Sequence, residues 1–241
     1  MTTPSRLTNG LSTVAKPHPL DLYPLPAPFD TASTNGMGVA TYANDFLTVP
    51  PSTEWTVTGA GSAIALTSAV GGEVTLTPGG ATVASSFYKG TASFQFIAGQ
   101  QLWYETRMQI SALTPASTFG LQYGSATTDG LWFSQAATTG IVSLISTVAT
   151  TATTLVAAVA TLTAATFMDL ALHYDGLDLV VWAGTTKANM AKIARIAAPT
   201  IGATGASTLT NKLLTPFFQI TPTATETLSA DFVLTAQEVA R

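Results

Sequence analysis

The stretch Phe167 to Trp182, FMDLALHYDGLDLVVW, constrains the fold more than any other part of the chain. Two runs of β-formers flank Asp175-Gly176, and Asp-Gly between such runs is a strong signal for a two-residue type I′ hairpin. Counting outward from that turn sets Tyr174 opposite Leu177, Leu172 opposite Leu179 and Leu170 opposite Val181. One face of the ribbon is then continuously apolar. The other carries His173 opposite Asp178, Ala171 opposite Val180 and Asp169 opposite Trp182. A slip of one residue would put every leucine in water. A lone hairpin cannot bury such a face, so a second sheet has to cover it.

The surrounding text fits that demand. From Trp55 onward, short β-prone runs at 54–57, 63–67, 73–77, 93–97, 119–123 and 130–134 alternate with Gly- and Pro-rich punctuation. The run 102–111, LWYETRMQIS, alternates most cleanly: Leu102, Tyr104, Thr106, Met108 and Ile110 point one way, Trp103, Glu105, Arg107, Gln109 and Ser111 the other. Further runs at 141–148 and 151–156, a segment at 189–197 that reads as a strand or one helical turn, and runs at 217–220 and 228–235 complete the series. Strands this short and this evenly spaced indicate an all-β sandwich over residues 52–241.

No Asp, Glu, Lys or Arg occurs between Asp129 and Asp169, and residues 141–168 are long enough to cross a bilayer. Thr is interleaved throughout, Gly140 interrupts the run, and basic flanks are missing, which argues for Thr-rich strands instead. The Ala/Thr tract at 147–165 reads as two paired strands joined by a Thr-rich turn.

Residues 1–51 read as an extended arm. Pro4, Pro17, Pro19, Pro24, Pro26, Pro28, Pro50 and Pro51 remove backbone donors and forbid a regular ladder. Between them stand apolar anchors: Leu20, Leu22, Tyr23, Leu25 and Phe29, then Tyr42, Phe46 and Leu47. An arm that lies along a surface and drops such anchors into pockets fits this pattern, since proline stiffness lowers the entropy cost of docking.

Composition narrows the function classes. Hydrophobic residues make up 46% of the 241 residues and charged ones only 9%, against roughly 25% charged in an average soluble domain. So sparse a charge leaves the surface poorly protected against association, as suits a surface largely covered by partners or one made robust in a harsh setting. A net charge of −4 gives no basic footprint for nucleic acid. There is no cysteine, which excludes disulfides and thiolate metal sites. The N-terminus MTTPSRLTNG lacks the apolar core of a secretory signal.

Catalytic constellations are weak. The two histidines, His18 in the arm and His173 on the hairpin, are too few and too differently placed for a metal site. His173 opposite Asp178 has the form of a base with its orienting carboxylate, but reads first as a polar cross-strand pair. Glu105 has Trp103 and Arg107 at its same-face neighbours rather than a second acid, so an intrastrand Glu–Arg pair is expected rather than a glycosidase acid pair. Asp169, Asp175 and Asp178 make a thin oxygen set for calcium, since the turn already accounts for Asp175. Trp55, Trp103, Trp132 and Trp182 are expected mainly in packing. No catalytic residue, cofactor or metal site is expected.

The run 102–111, Phe119-Gly-Leu-Gln-Tyr123, Gly130-Leu-Trp-Phe133, the Tyr174-Asp-Gly-Leu-Asp-Leu179 hairpin and Ala230-Asp-Phe-Val-Leu234 together resemble the concanavalin A-like jelly-roll sandwich. The acidic Glu-x-Asp-x-Glu strand of the family-16 glycosidases within that group has no match. With its Pro-rich arm and low charge, the chain also resembles tailed-bacteriophage head decoration (cement) proteins. That resemblance implies a structural protein on the capsid surface of a virion, made in the host cytoplasm and binding the major capsid protein and neighbouring copies of itself. It implies no catalysis, no nucleic acid and no membrane, with Leu20, Leu22, Tyr23, Leu25, Phe29 and Tyr42 of the arm as partner contacts. The alternatives are a carbohydrate-binding or tail-fibre receptor-recognition jelly-roll, which needs aromatics and amides on one sheet face, and a glycosidase-like enzyme.

Overall fold

The structure, a computed structural model, describes residues 37–67, 72–124, 128–197, 209 and 212–240. These form fifteen strands and one 3-10 turn, Lys187–Asn189. In chain order the strands are β1 Met37–Asn44, β2 Trp55–Thr58, β3 Ala63–Leu66, β4 Val74–Thr77 and β5 Ser85–Lys89. β6 Leu102–Ile110, β7 Ala116–Tyr123, β8 Gly130–Gln135, β9 Ile141–Val148 and β10 Thr151–Thr161 follow. β11 Met168–Tyr174, β12 Asp178–Gly184, β13 Ala191–Ala197, β14 Leu214–Thr221 and β15 Leu228–Ala240 complete the set.

Two antiparallel sheets face one another. The front sheet runs β13-β12-β11-β6-β15-β4-β3, with β1 paired to the far stretch of β15; the back sheet runs β10-β9-β8-β7-β14-β5-β2. Alternation fixes what lies between them. Leu102, Tyr104, Met108 and Ile110 of β6 meet Phe119, Leu121, Phe133 and Leu144 of the back sheet in one buried cluster. Each such aliphatic or aromatic side chain contributes about 1.5–3 kcal/mol by leaving water. An aromatic block closes one end, where Phe87 stacks on Phe218 at 4.8 Å and Trp55 tilts against Phe87 at 5.2 Å. The chain is an all-β sandwich, as the alternation required.

The central hairpin differs from its sequence reading in register. Tyr174 pairs with Leu179, Leu172 with Val181, Leu170 with Ala183, and His173 with Val180 rather than Asp178. The two-residue turn therefore moves one position on, to Gly176-Leu177, with the Asp175 backbone N–H donating to Asp178 O at 3.0 Å. Asp175 Oδ1 accepts the backbone N–H groups of Leu177 (3.0 Å) and Asp178 (2.7 Å), so Asp175 nucleates an Asx turn instead of sitting within a type I′ pair. Gly176 has φ +95, and a Cβ there would lie 2.7 Å from Gly99 Cα, so both backbone and space require glycine. The slip is two residues, which preserves the faces: Leu170, Leu172, Leu179 and Val181 are all buried. Leu177 is pushed out of the ribbon and is 68% exposed.

The uncharged tract is a hairpin too. β9 and β10 pair through the turn Ala149-Thr150, with Val148 opposite Thr151. No helix among the described residues is long and apolar enough to cross a membrane. Within the stretch read as an arm, Met37–Asn44 forms β1, whose ladder partner is β15. No proline occurs between Pro28 and Pro50, so nothing in that interval removes a ladder donor. Residues 1–36, with Leu20, Leu22, Tyr23, Leu25 and Phe29, lie outside the described residues. The expected run at 93–97 forms only one bridge, Phe94 to Leu214, while β5 has no counterpart in the sequence reading.

Candidate functional site

The outer face of the front sheet, turned away from the core, gathers the chain's polar and aromatic side chains. Period-2 alternation puts Trp103, Glu105 and Arg107 of β6 there, with Asp169, Ala171 and His173 of β11 and Val180 and Trp182 of β12. A register shift between Ala230 and Phe232 in β15 adds Phe232 opposite Arg107, Leu234 opposite Glu105 and Ala236 opposite Trp103. Strand pairing sets these side chains in rows across the sheet.

The upper row is built on rings. Trp103 and His173 stack with centroids 4.9 Å apart and planes at 12°. His173 Nε2 lies 2.9 Å from Gln101 Oε1. Gln101 Nε2 donates to Glu238 Oε1 at 3.1 Å, and Glu238 Oε2 accepts the Gln101 backbone N–H at 2.9 Å. The amide oxygen can only accept, so the bond assigns the proton to His173 Nε2. Burial lowers the His173 pKa to about 4, with Asp175 opposing and Arg195 reinforcing the shift. The ring is therefore neutral at pH 7.

The lower row is ionic. Arg107 Nη1 donates to Asp169 Oδ2 at 2.8 Å, and its Nε lies 3.0 Å from Asp231 Oδ2. Its guanidinium sits over the Phe167 ring at 5.0 Å. Lys187 Nζ lies 3.6 Å from Glu105 Oε1 and 4.7 Å from the Phe232 ring centre. Burial raises Asp169 to about 6; Arg107 and Lys187 pull it down, and Glu105 pushes it further up. The intrastrand Glu105–Arg107 pair expected from sequence is replaced by ion pairs that run across strands. Sequence reasoning missed that β11 and β15 deliver Asp169 and Asp231 to the face of Glu105, because those acids lie more than sixty residues from it in the chain. No local spacing could have revealed that. A hydrolytic acid pair needs one carboxyl group able to donate a proton and another to act opposite it. Here Asp169 and Asp231 are both held by one guanidinium.

The loop end of the hairpin is likewise committed. Arg195 on β13 donates through Nε to Asp178 Oδ2 and through Nη2 to Asp175 Oδ2, each at 2.7 Å. Asp178 therefore serves Arg195 and does not orient His173. Asp169 stands at the opposite end of β11 from Asp175, so the three aspartates do not converge on a calcium. Tyr42, expected to contact a partner, is engaged within its own chain: its hydroxyl donates to Glu54 Oε1 (2.7 Å) and accepts from Trp55 Nε1 (2.6 Å) and Asn44 Nδ2 (3.2 Å). Of the four tryptophans, Trp55 is in the inter-sheet core and Trp132 packs edge-on against Phe217 at 5.7 Å on the back sheet. Trp103 and Trp182 stand on the front sheet's outer face.

No known family matches the sequence, and no curated protein matches it. Solved structures do match the fold. A protein of unknown function from Shewanella oneidensis MR-1 superposes with TM-score 0.55 at 15% identity, over 85% of this chain and 87% of that one. The endo-1,3-beta-glucanase of Streptomyces sioyaensis gives TM-score 0.55 at 10% identity, over 84% and 96%. Winged bean acidic lectin, solved with methyl-alpha-D-galactose, gives TM-score 0.57 at 8% identity, over 83% and 99%. The sandwich is a jelly roll of the kind shared by these lectins and the glucanase. At such identities the likeness speaks for the fold alone.

Proposed function

We propose that the chain is a non-catalytic recognition module whose ligand class is carbohydrate. The observation that carries this is the fold: the jelly-roll sandwich superposes over most of its length on a lectin solved with methyl-alpha-D-galactose. The lectins among the structural neighbours support the reading; nothing about them extends to this chain's own ligand. A glycan array probed with the full chain tests it. Retention of one or more glycans by the full chain is expected. No glycan retained by the full chain would overturn it.

A second reading is the phage-shell decoration protein. Low charge supports it, and so does β10, an uncharged edge strand exposed at Thr151–Thr154 that offers backbone groups to a protein neighbour. Co-sedimentation with capsids lacking the protein separates the two.

A further inference from the structure

The connection between β12 and β13 folds back over the outer face of the front sheet. Asp169 on β11 pairs with Gly184, the last residue of β12. Directly opposed residues share a face, so a Cβ on Gly184 would project outward beside Asp169. That space is already filled: such a Cβ would lie 2.7 Å from the Cα and N of Met190 and 2.8 Å from Asn189 Oδ1. On the other side of Asp169, Lys187 Nζ reaches Glu105 on β6 and the Phe232 ring on β15. β11 lies between β12 and β6, so the connection brackets Asp169 from both sides. Met190 extends the cover by packing on Ala171, Val180 and Trp182.

The connection is also a self-bonded unit. Asn189 Oδ1 accepts the Thr186 N–H at 2.8 Å, Asn189 Nδ2 donates to Thr185 Oγ1 at 2.8 Å, and the Asn189 N–H donates to Thr186 O at 3.0 Å. The Lys187 ion pair, its ring contact and Met190 hold this unit to the sheet. Beneath it Asp169 is 0% exposed; Oδ2 accepts from Arg107, while Oδ1 has no hydrogen-bond partner among the described residues. A charged carboxylate with one dry, unpaired oxygen is costly, and lifting the unit returns that oxygen to water.

We propose that residues 185–190 form a flap, hinged at Gly184 and Ala191, whose closure is linked to the protonation of Asp169: shut over the protonated carboxyl, released as it ionises. The charges around Asp169 set the sign. β6 presents Arg107, which pairs with it, and Glu105, which repels it; the flap presents Lys187; β15 presents Asp231, which shares the Arg107 guanidinium. On β11 itself the next titratable side chain of this face is His173, neutral at pH 7, and β12 sets the uncharged Gly184 and Trp182 beside it. Burial, with Glu105 behind it, outweighs Arg107 and Lys187 and raises Asp169 to about 6 from its ordinary 3.8. The closed flap therefore binds the proton more tightly than the open one. Closure is strongest at low pH, weakens as pH rises, and levels off above about 6. The pull of Lys187 on the ionised carboxylate moderates this swing without reversing it.

Absence of cysteine lets a single thiol report the opening. Ala171→Cys places it on the face that Met190 covers, where Ala171 is 3% exposed, and Ala188→Cys places an exposed reference on the flap itself. The rate at which a small maleimide modifies the first, divided by its rate on the second at the same pH, reads the open fraction free of the thiol's own titration. A shift of about two pKa units is worth about a hundredfold in all, of which about tenfold falls between pH 5 and pH 7.5. The ratio is expected to rise by that factor and to flatten above pH 6. Urea below the unfolding transition should leave it unchanged, since a local opening exposes little surface. Adding Asp169→Asn to both chains should remove the pH dependence. A ratio that is flat or falls with pH overturns the proposal, as does one that climbs with urea as global unfolding does, or one whose pH profile survives Asp169→Asn. Should that variant not fold, the pH profile and the urea dependence of the two single-thiol chains decide by themselves.

Discussion

Leu172 is 1% exposed between the sheets, and its neighbours in β11 and β12 are held by ladders on both sides, so the site cannot collapse around a smaller residue. Leu172→Ala is expected to cost about 2–5 kcal/mol, read as a lowered urea midpoint with unchanged slope. On the outer face, His173 and Asp169 pull the pH dependence of stability in opposite directions. The folded pKa of His173 is about 4, below its ordinary 6.5, so between those values the unfolded chain binds the proton and stability falls as pH drops. The folded pKa of Asp169 is about 6, above its ordinary 3.8, so over that interval the folded chain binds the proton and stability falls as pH rises. Between pH 4 and 6 the two slopes oppose one another. Asp169→Asn should therefore lose stability toward pH 4 more steeply than the parent chain, and His173→Gln less steeply. Denaturant melts at pH 4, 5, 6 and 7 read this directly; slopes parallel to the parent in both variants would show that neither group titrates as assigned.

At the scale of elements, turns decide what alternation leaves open. Period-2 patterning made the faces of β6, β11 and β12 legible, because burial allows only one parity. Register was not legible, since a two-residue slip conserves parity and hangs on whether Asp175 caps a turn or occupies it. β5 escaped notice for a different reason. It opens with Ser85 and Ser86, whose hydroxyls are buried against Ser62 and Thr58 at 2.7 Å each, and such partners are invisible to a local hydropathy reading. The charged rows were illegible in the same way, because three strands far apart in sequence assemble them. The β9–β10 turn carries a testable strain. Ala149 and Thr150 have φ 48 and 70, a left-handed pair that costs L-residues roughly 1–2 kcal/mol each and a β-branched Thr most. Thr150→Gly should stabilise the chain by about 0.5–1 kcal/mol after the extra entropy of glycine in the unfolded state is offset. Thermal unfolding reads it as a raised midpoint; a lowered one would mean that the Thr150 side chain, not its backbone, stabilises the turn.

For the molecule as a whole, what remains after two sheets bury their inner faces is a set of edges. β13 protects its edge with Lys192 and Arg195, as edge strands commonly do. β10 has no charge along its eleven residues. Its register shifts between Thr154 and Val156, and again between Val156 and Ala160, break the regular edge in its second half. Thr151–Thr154 stay exposed and regularly paired to β9 on one side only, so their outward backbone groups are open to a neighbouring strand. A second copy is a suitable neighbour, because an uncharged antiparallel edge meets itself across a two-fold axis with no like charges opposed. The full chain is therefore expected to self-associate with rising concentration in sedimentation velocity, and Thr153→Lys to weaken that association at least tenfold while leaving the circular dichroism of the sandwich unchanged. A lysine there sets like charges close together across the axis and leaves the monomer's core untouched, since Thr153 is exposed and pairs only with Ser146. If the parent chain sediments as a monomer at every concentration, or the variant associates as strongly as the parent, the β10 edge is not how copies of this chain meet.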